Sequence, residues 1–307
     1  MQLFDLHCDS IVNFRKENED FLCKDTQFSL SDLKQFKRIC QTMAVFIPDT
    51  IRGEAALRYF QEHKEYLDLL LRKQSQLASK ATSAAEIEAI TDTGKCAVLL
   101  AVESGAALAG RLENVDYLYE CGVRMMTLVW NGENELGSGH DTDHGLTEFG
   151  RRAIRRMEKT GMLVDVSHLN DRGFDEVCEV AKKPFIATHS NVRAVCPHKR
   201  NLTDVQFQEI VRRKGLVGVN LFRNFLSEDH KDDLDSMYRH VDHMLELGGK
   251  DVIACGSDFD GAEIDEKLDS PAKFAASGDY LLTKGIPEQI INKMFYENAL
   301  DFFYKNI

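Results

Sequence analysis

The chain has 307 residues, 43% hydrophobic and 29% charged, the balance of a globular protein long enough for one large α/β domain or two small ones. A formal net charge of −12 argues against a phosphate-gripping nucleic-acid binder and against docking on anionic membranes, since both need a basic surface. No segment approaches the roughly 18 apolar residues of a membrane span, no basic-then-apolar leader opens the sequence, and the final "ENALDFFYKNI" lacks a lipid-anchor signal.

Short apolar runs recur along the chain. They are "LFDLHC" (3–8), "CQTMAVFI" (40–47), "KCAVLLAVE" (95–103), "VRMMTLVW" (123–130), "GMLVDVSH" (161–168), "KPFIATHS" (183–190), "GLVGVNLF" (215–222) and "KDVIACGSD" (250–258). Helical patterns lie between them. "EAALRYFQEHKEYLDLLLRKQSQLA" reads as a long amphipathic helix inside the insertion 49–94. "SAAE" (83–86) carries a capping box, and "EFGRRAIRRMEKTG" stops on Gly161. Eight alternating units predict a (β/α)8 TIM barrel with a helical insertion after the second strand and C-terminal helices after 259, as one domain over 1–307. A doubly wound open sheet is the alternative, although no glycine-rich phosphate loop follows any run. Eight cysteines are scattered, mostly within apolar runs and without a CxxC pair, so they are expected to be reduced, buried and cytoplasmic.

In such a barrel chemistry sits at the C-terminal ends of the strands. Those ends carry His7 and Asp9, then Glu103, His168, His189 and Asp258. Residues two apart on a strand share a face, so His7 and Asp9 should converge, with small residues (Ala101, Ala187, Gly256) beneath Glu103, His189 and Asp258 leaving room. Asp5 shares the face of His7 by the same count, either as a partner of that site or as a capped polar residue. If the six groups were structural instead, each would need its own partner inside a crowded mouth, which is costly. Three histidines and three carboxylates suit zinc first, with manganese or cobalt as alternatives. They are too many for one tetrahedral ion and fit two ions bridged by a carboxylate. The fourth run holds no lysine to carry that bridge, which leaves Glu103. Two other clusters compete. "GHDTDHG" (139–145) reads as a solvated lid rather than a metal loop, and "HVDH" (240–243) as the solvated face of a flanking helix.

Taken together, "DLHCD", "VESG", "GMLVDVSH", "ATHSNVRAVCPHKRN" and "GSDFDG" resemble, in order and over nearly the whole chain, the membrane (renal) dipeptidase family of the metal-dependent hydrolase (amidohydrolase) superfamily. The resemblance implies that His7, Asp9 and Glu103 hold one zinc and that Glu103, His168 and His189 hold the second. It further implies that Asp258 shuttles a proton and that Arg200 grips the substrate carboxylate. Trp130 stands where the animal enzymes have a substrate-contacting histidine, so Trp130 and the adjacent Asn131 are expected at the substrate. The implied activity is a two-zinc dipeptidase acting on short dipeptides with a free C-terminal carboxylate, tolerating a D-residue there, and working as a cytoplasmic homodimer. An N-acyl amino acid deacylase or cyclic-amide hydrolase on the same metals, or an inactive barrel that only binds, are the competing readings.

Overall fold

Apolar, β-branched-rich runs separated by amphipathic helices leave strands buried on both faces, and parallel pairing is the arrangement that suits them. The computed structural model describes residues 1–307. Its strands are β1 (Gln2–Cys8), β2 (Arg38–Phe46), β3 (Ala78–Lys80), β4 (Cys96–Glu103), β5 (Val123–Thr127), β6 (Leu163–Asp165), β7 (Ile186–Ala187), β8 (Leu216–Val219) and β9 (Ile253–Cys255). All pair in parallel, and the ring β1-β2-β4-β5-β6-β7-β8-β9 closes where Asp5 meets Cys255. This is the expected eight-stranded barrel. The ninth strand, β3, was not anticipated. It lies beside Cys96–Val98 at the foot of β4, below the point where β5 takes over the same edge at Leu100.

The long helix of the insertion runs Glu54–Lys73, and residues after it turn into β3. Ser83 caps the helix Ala84–Thr91 by accepting from Glu86 N, but the Glu86 carboxylate takes Thr82 N–H rather than closing the box on Ser83. Gly161 ends its helix in the left-handed conformation, as expected. No helix is long and apolar enough to cross a membrane. All eight cysteines are unpaired, five of them buried and three half-buried.

One apolar cluster fills the barrel and another lies between the strands and the surrounding helices. The C-terminal helix Asn298–Asn306 closes the foot of the barrel, with the Phe303 ring tilted against that of Phe4 at 5.2 Å. The opposite end, where the strands finish, remains open for polar groups.

Three strand ends depart from simple alternation. The β1–β2 ladder slips between Asp5 and Cys8, so three steps of β1 face two of β2. Phe4 and Leu6 pack inside the barrel, yet after this bulge it is His7 that points inward while Cys8 turns out onto Met43. Asp5 therefore does not share the face of His7. Its carboxylate accepts from Ser257 N (2.8 Å), Ser257 Oγ (2.5 Å) and Gln41 Nε2 (2.8 Å), which fastens three strand ends together. At β7 the inward residue is Ile186, with Ala187 packed outward beside Val217. Gly256 does not leave empty space either, because a Cβ there would lie 1.9 Å from the Thr188 carbonyl oxygen. The small residue admits the backbone that follows β7, two strands away around the ring, not substrate.

Candidate metal centre and active site

The ladders of β6 and β9 stop three residues short of His168 and Asp258. Both residues adopt left-handed backbone, with φ of 71° and 67°, which turns their side chains back over the mouth. Asp9 also lies beyond its strand, as the N-cap residue of the helix Ser10–Glu17. His7 and Asp9 still converge, at 3.6 Å between Nε2 and Oδ2, but by the chain turning rather than by strand alternation.

Glu103, 2% exposed at the end of β4, divides its carboxylate between two groups. Oε1 lies 2.7 Å from His168 Nε2 and 3.4 Å from His189 Nε2. Oε2 lies 3.5 Å from His7 Nε2. The ligand-capable atoms of His7, Asp9 and Glu103, and those of Glu103, His168 and His189, form two compact sets, each within 4.8 Å.

The ring partners fix which nitrogen carries each proton. Asn131 Oδ1 can only accept, so His168 Nδ1 donates to it at 2.9 Å and Nε2 is left with its lone pair. Thr188 Oγ1 donates to Asp165 Oδ2 at 2.5 Å and so accepts from His189 Nδ1 at 2.8 Å, which leaves the second Nε2 as a lone pair too. These two Nε2 atoms face each other at 2.9 Å beside the Glu103 carboxylate. His7 Nε2, almost fully buried, has no hydrogen-bond partner.

Burial and the neighbouring charges bias every group. Burial, with Arg200 nearby, holds His168 well below the usual histidine range, and burial with His7 nearby does the same for His189. Burial also pulls on His7, but the Glu103 and Asp9 carboxylates hold its imidazole well above that range. Burial raises Glu103 and Asp258, each further raised by Asp9. Burial is the largest influence on each group, and it disfavours the charged form of all of them.

Asp258 Oδ1 lies 3.9 Å from His7 Nε2, while Oδ2 accepts from Asn220 Nδ2 at 2.9 Å. Gly261 packs against both carboxylates, and a Cβ there would meet Asp9 Oδ2 at 2.0 Å and Asp258 Oδ1 at 2.8 Å. Arg200 lies in the turn that follows β7, yet its side chain is buried. It is 4% exposed and donates to Ser190 Oγ (2.9 Å) and the His189 carbonyl (3.0 Å), with Nε unpartnered. Burial lowers its guanidinium to about 10.

A cavity of about 450 Å³ opens over the cluster, lined in part by Glu103, His168, Asp258, Trp130 and Asn131. Trp130 packs edge-to-face on Phe46 at 4.7 Å. Of the two competing clusters, "GHDTDHG" is only partly a solvated loop: His144 is exposed, but His140 is half-buried and lines the cavity, and desolvation with Arg200 nearby lowers it to about 4. In "HVDH" the solvated reading fails for His240. It is fully buried, accepts from Val192 N at Nδ1 and reaches the Leu226 carbonyl with Nε2 at 3.0 Å, tying its helix to the loop after β7 and the short helix Arg223–Leu226.

Sequence reasoning missed the groups that aim the others. Asp165 accepts from Thr127 Oγ1, Thr188 Oγ1, Ser167 N and Thr188 N, and Asn220 steers Asp258. Their signal was present: each is a lone polar residue within an apolar strand run, "LVD" and "VGVN".

A closed parallel barrel with this histidine–carboxylate cluster at its C-terminal mouth defines an amidohydrolase-like hydrolase. Residues 1–305 match the model of the membrane dipeptidase family (peptidase family M19), and the chain belongs to this family of metallo-dipeptidases. A metallopeptidase from Rhodobacter sphaeroides, solved with a phosphinate mimic of the dipeptide L-Ala-D-Ala, superposes with a TM-score of 0.93 at 26% identity, covering 100% of this chain and 99% of that one. A family M19 metallopeptidase, dipeptidase AC, gives 0.92 at 27% identity, covering 100% and 98%. A Klebsiella pneumoniae protein from the pqqA 5′ region is 34% identical over 230 residues, 71% of this chain and 85% of its own.

Proposed function

We propose that this protein is a two-zinc dipeptidase that cleaves dipeptides bearing a free C-terminal carboxylate, D-residues at that position included. The observation that carries the two-metal reading is the donor set. Two imidazole lone pairs held face to face at 2.9 Å beside a shared carboxylate repel one another unless a cation binds to both. His7 Nε2, buried and without a partner among Asp9, Glu103 and Asp258, makes a second such position. His7, Asp9 and Glu103 would hold one ion, and Glu103, His168 and His189 the other. Mixed nitrogen and oxygen donors favour zinc, with manganese or cobalt able to replace it. When bound, the ions polarise the scissile carbonyl and bring the acidity of water from 15.7 towards about 7.

The chain's own groups do the rest. Asp258, steered by Asn220, takes a proton from the attacking water and returns it to the leaving amine. Asn131 and Thr188 keep the ring nitrogens of His168 and His189 in the required tautomers. Arg200 holds the substrate carboxylate with the N–H groups not given to Ser190 and His189. Tolerance of a D-residue is supported by the L-Ala-D-Ala mimic bound to the Rhodobacter relative. Unpaired cysteines throughout support a reducing, cytoplasmic setting.

The test is hydrolysis of L,L and L,D dipeptides beside the matching dipeptide amides. Free acids should be cleaved and amides poorly. Arg200→Lys should lower kcat/KM for the acids by about 1.5–3 kcal/mol, the scale of one charged hydrogen bond, because an ammonium cannot reproduce the fork. It should not worsen the amides or strip metal. Equal cleavage of acids and amides by the wild type would remove Arg200 as the carboxylate clamp and favour a deacylase or cyclic-amide hydrolase.

A further inference from the structure

Five apolar side chains line the cavity, and they are not spread evenly around it. Phe46 ends β2 and Trp130 follows β5, so this pair brackets β4 and its Glu103; their rings meet at 4.7 Å, and Val12 joins them on the cavity wall. Phe222 and Phe225 follow β8, and their rings also meet edge-to-face at 4.7 Å. Around the ring of eight strands β8 lies four places from β4. The two aromatic pairs therefore face each other across the mouth, with the histidine–carboxylate cluster between them.

An extended peptide sends consecutive L side chains to opposite sides. A dipeptide whose scissile bond rests over Glu103 and Asp258 thus directs one side chain to each wall. Polarity sets which end goes where. The Arg200 guanidinium lies 5.7 Å from the centre of the Phe225 ring, so the C-terminal residue belongs on the Phe222–Phe225 side and the N-terminal residue on the Phe46 side. Building on the dipeptidase reading above, we infer that the two facing aromatic pairs are separate side-chain subsites and select dipeptides with a large apolar residue at both positions.

The experiment compares kcat/KM for Gly-Gly, Leu-Gly, Gly-Leu and Leu-Leu, all L, on the metal-loaded wild type. Each Leu should raise kcat/KM about tenfold to a hundredfold over Gly, the range expected for burying one such side chain. Phe225→Ala should lower the Gly-Leu to Gly-Gly ratio about tenfold while the Leu-Gly to Gly-Gly ratio holds, and Phe46→Ala should do the reverse. The wild-type profile stands without any variant: hydrolysis that is indifferent to Leu or prefers Gly at either position overturns the inference and leaves the dipeptidase reading intact. Variants that lower both ratios together overturn the assignment of one wall to each residue. Failure to hydrolyse any dipeptide contradicts the dipeptidase reading itself.

Discussion

Glu103→Gln is expected to bind at most one divalent ion per chain and to lose at least about 10³-fold in turnover, since metal-assisted stabilisation of the transition state is worth several kcal/mol. The two Glu103 oxygens serve both groups of the site, one against His168 and His189 and the other against His7. The amide keeps the volume but offers a single acceptor oxygen, so one group faces an NH2 that cannot bind a cation. Folding should survive, because removing a 2%-exposed carboxylate charge relieves a desolvation cost. Elemental analysis with dipeptide turnover reads both effects. Retention of two ions with turnover within tenfold of the wild type would contradict the bridging role.

Asp258→Asn is expected to keep both ions and lose about 10²–10⁴-fold in turnover, the range of general acid–base work. The change suits the backbone, since asparagine tolerates the left-handed conformation at φ 67° that this position holds. The Asn220 contact also persists, because the amide oxygen can accept from Nδ2 as Oδ2 does now. What disappears is a group able to take and return a proton. Asp258 also forms a ligand-capable set with His7 and His189, so the metal content decides between two roles. Loss of an ion would make Asp258 a ligand, and unchanged turnover would remove it from the chemistry.

The barrel and the six groups at its mouth were readable because strand–helix alternation and polar residues closing apolar runs are properties of the local sequence. His7, Asp9, Glu103, His168, His189 and Asp258 do come together. The reasons given for their convergence were less reliable. Counting by twos assumes an unbroken ladder, and a single extra residue at the β1 bulge reverses the count, which is why Asp5 and His7 part company. The same count placed Ala187 inward, although β7 holds only two paired residues and the inward one is Ile186. Left-handed turns at His168 and Asp258 leave no periodic trace, because the residues there are not glycine. Asp165 reaches Thr188 across 23 residues and Asn220 reaches Asp258 across 38, contacts that exist only once the barrel closes. His240 escaped for a related reason: its helix is amphipathic, but the loop after β7 and the short helix Arg223–Leu226 cover the side on which it lies.

The proposed activity needs two ions sharing one carboxylate. Metal-free protein should therefore be titrated with zinc while bound metal per chain and dipeptide turnover are followed together. The expected result is saturation at two ions per chain, with full turnover reached only as the second site fills. Saturation at one ion, or full turnover with a single ion bound, would contradict it.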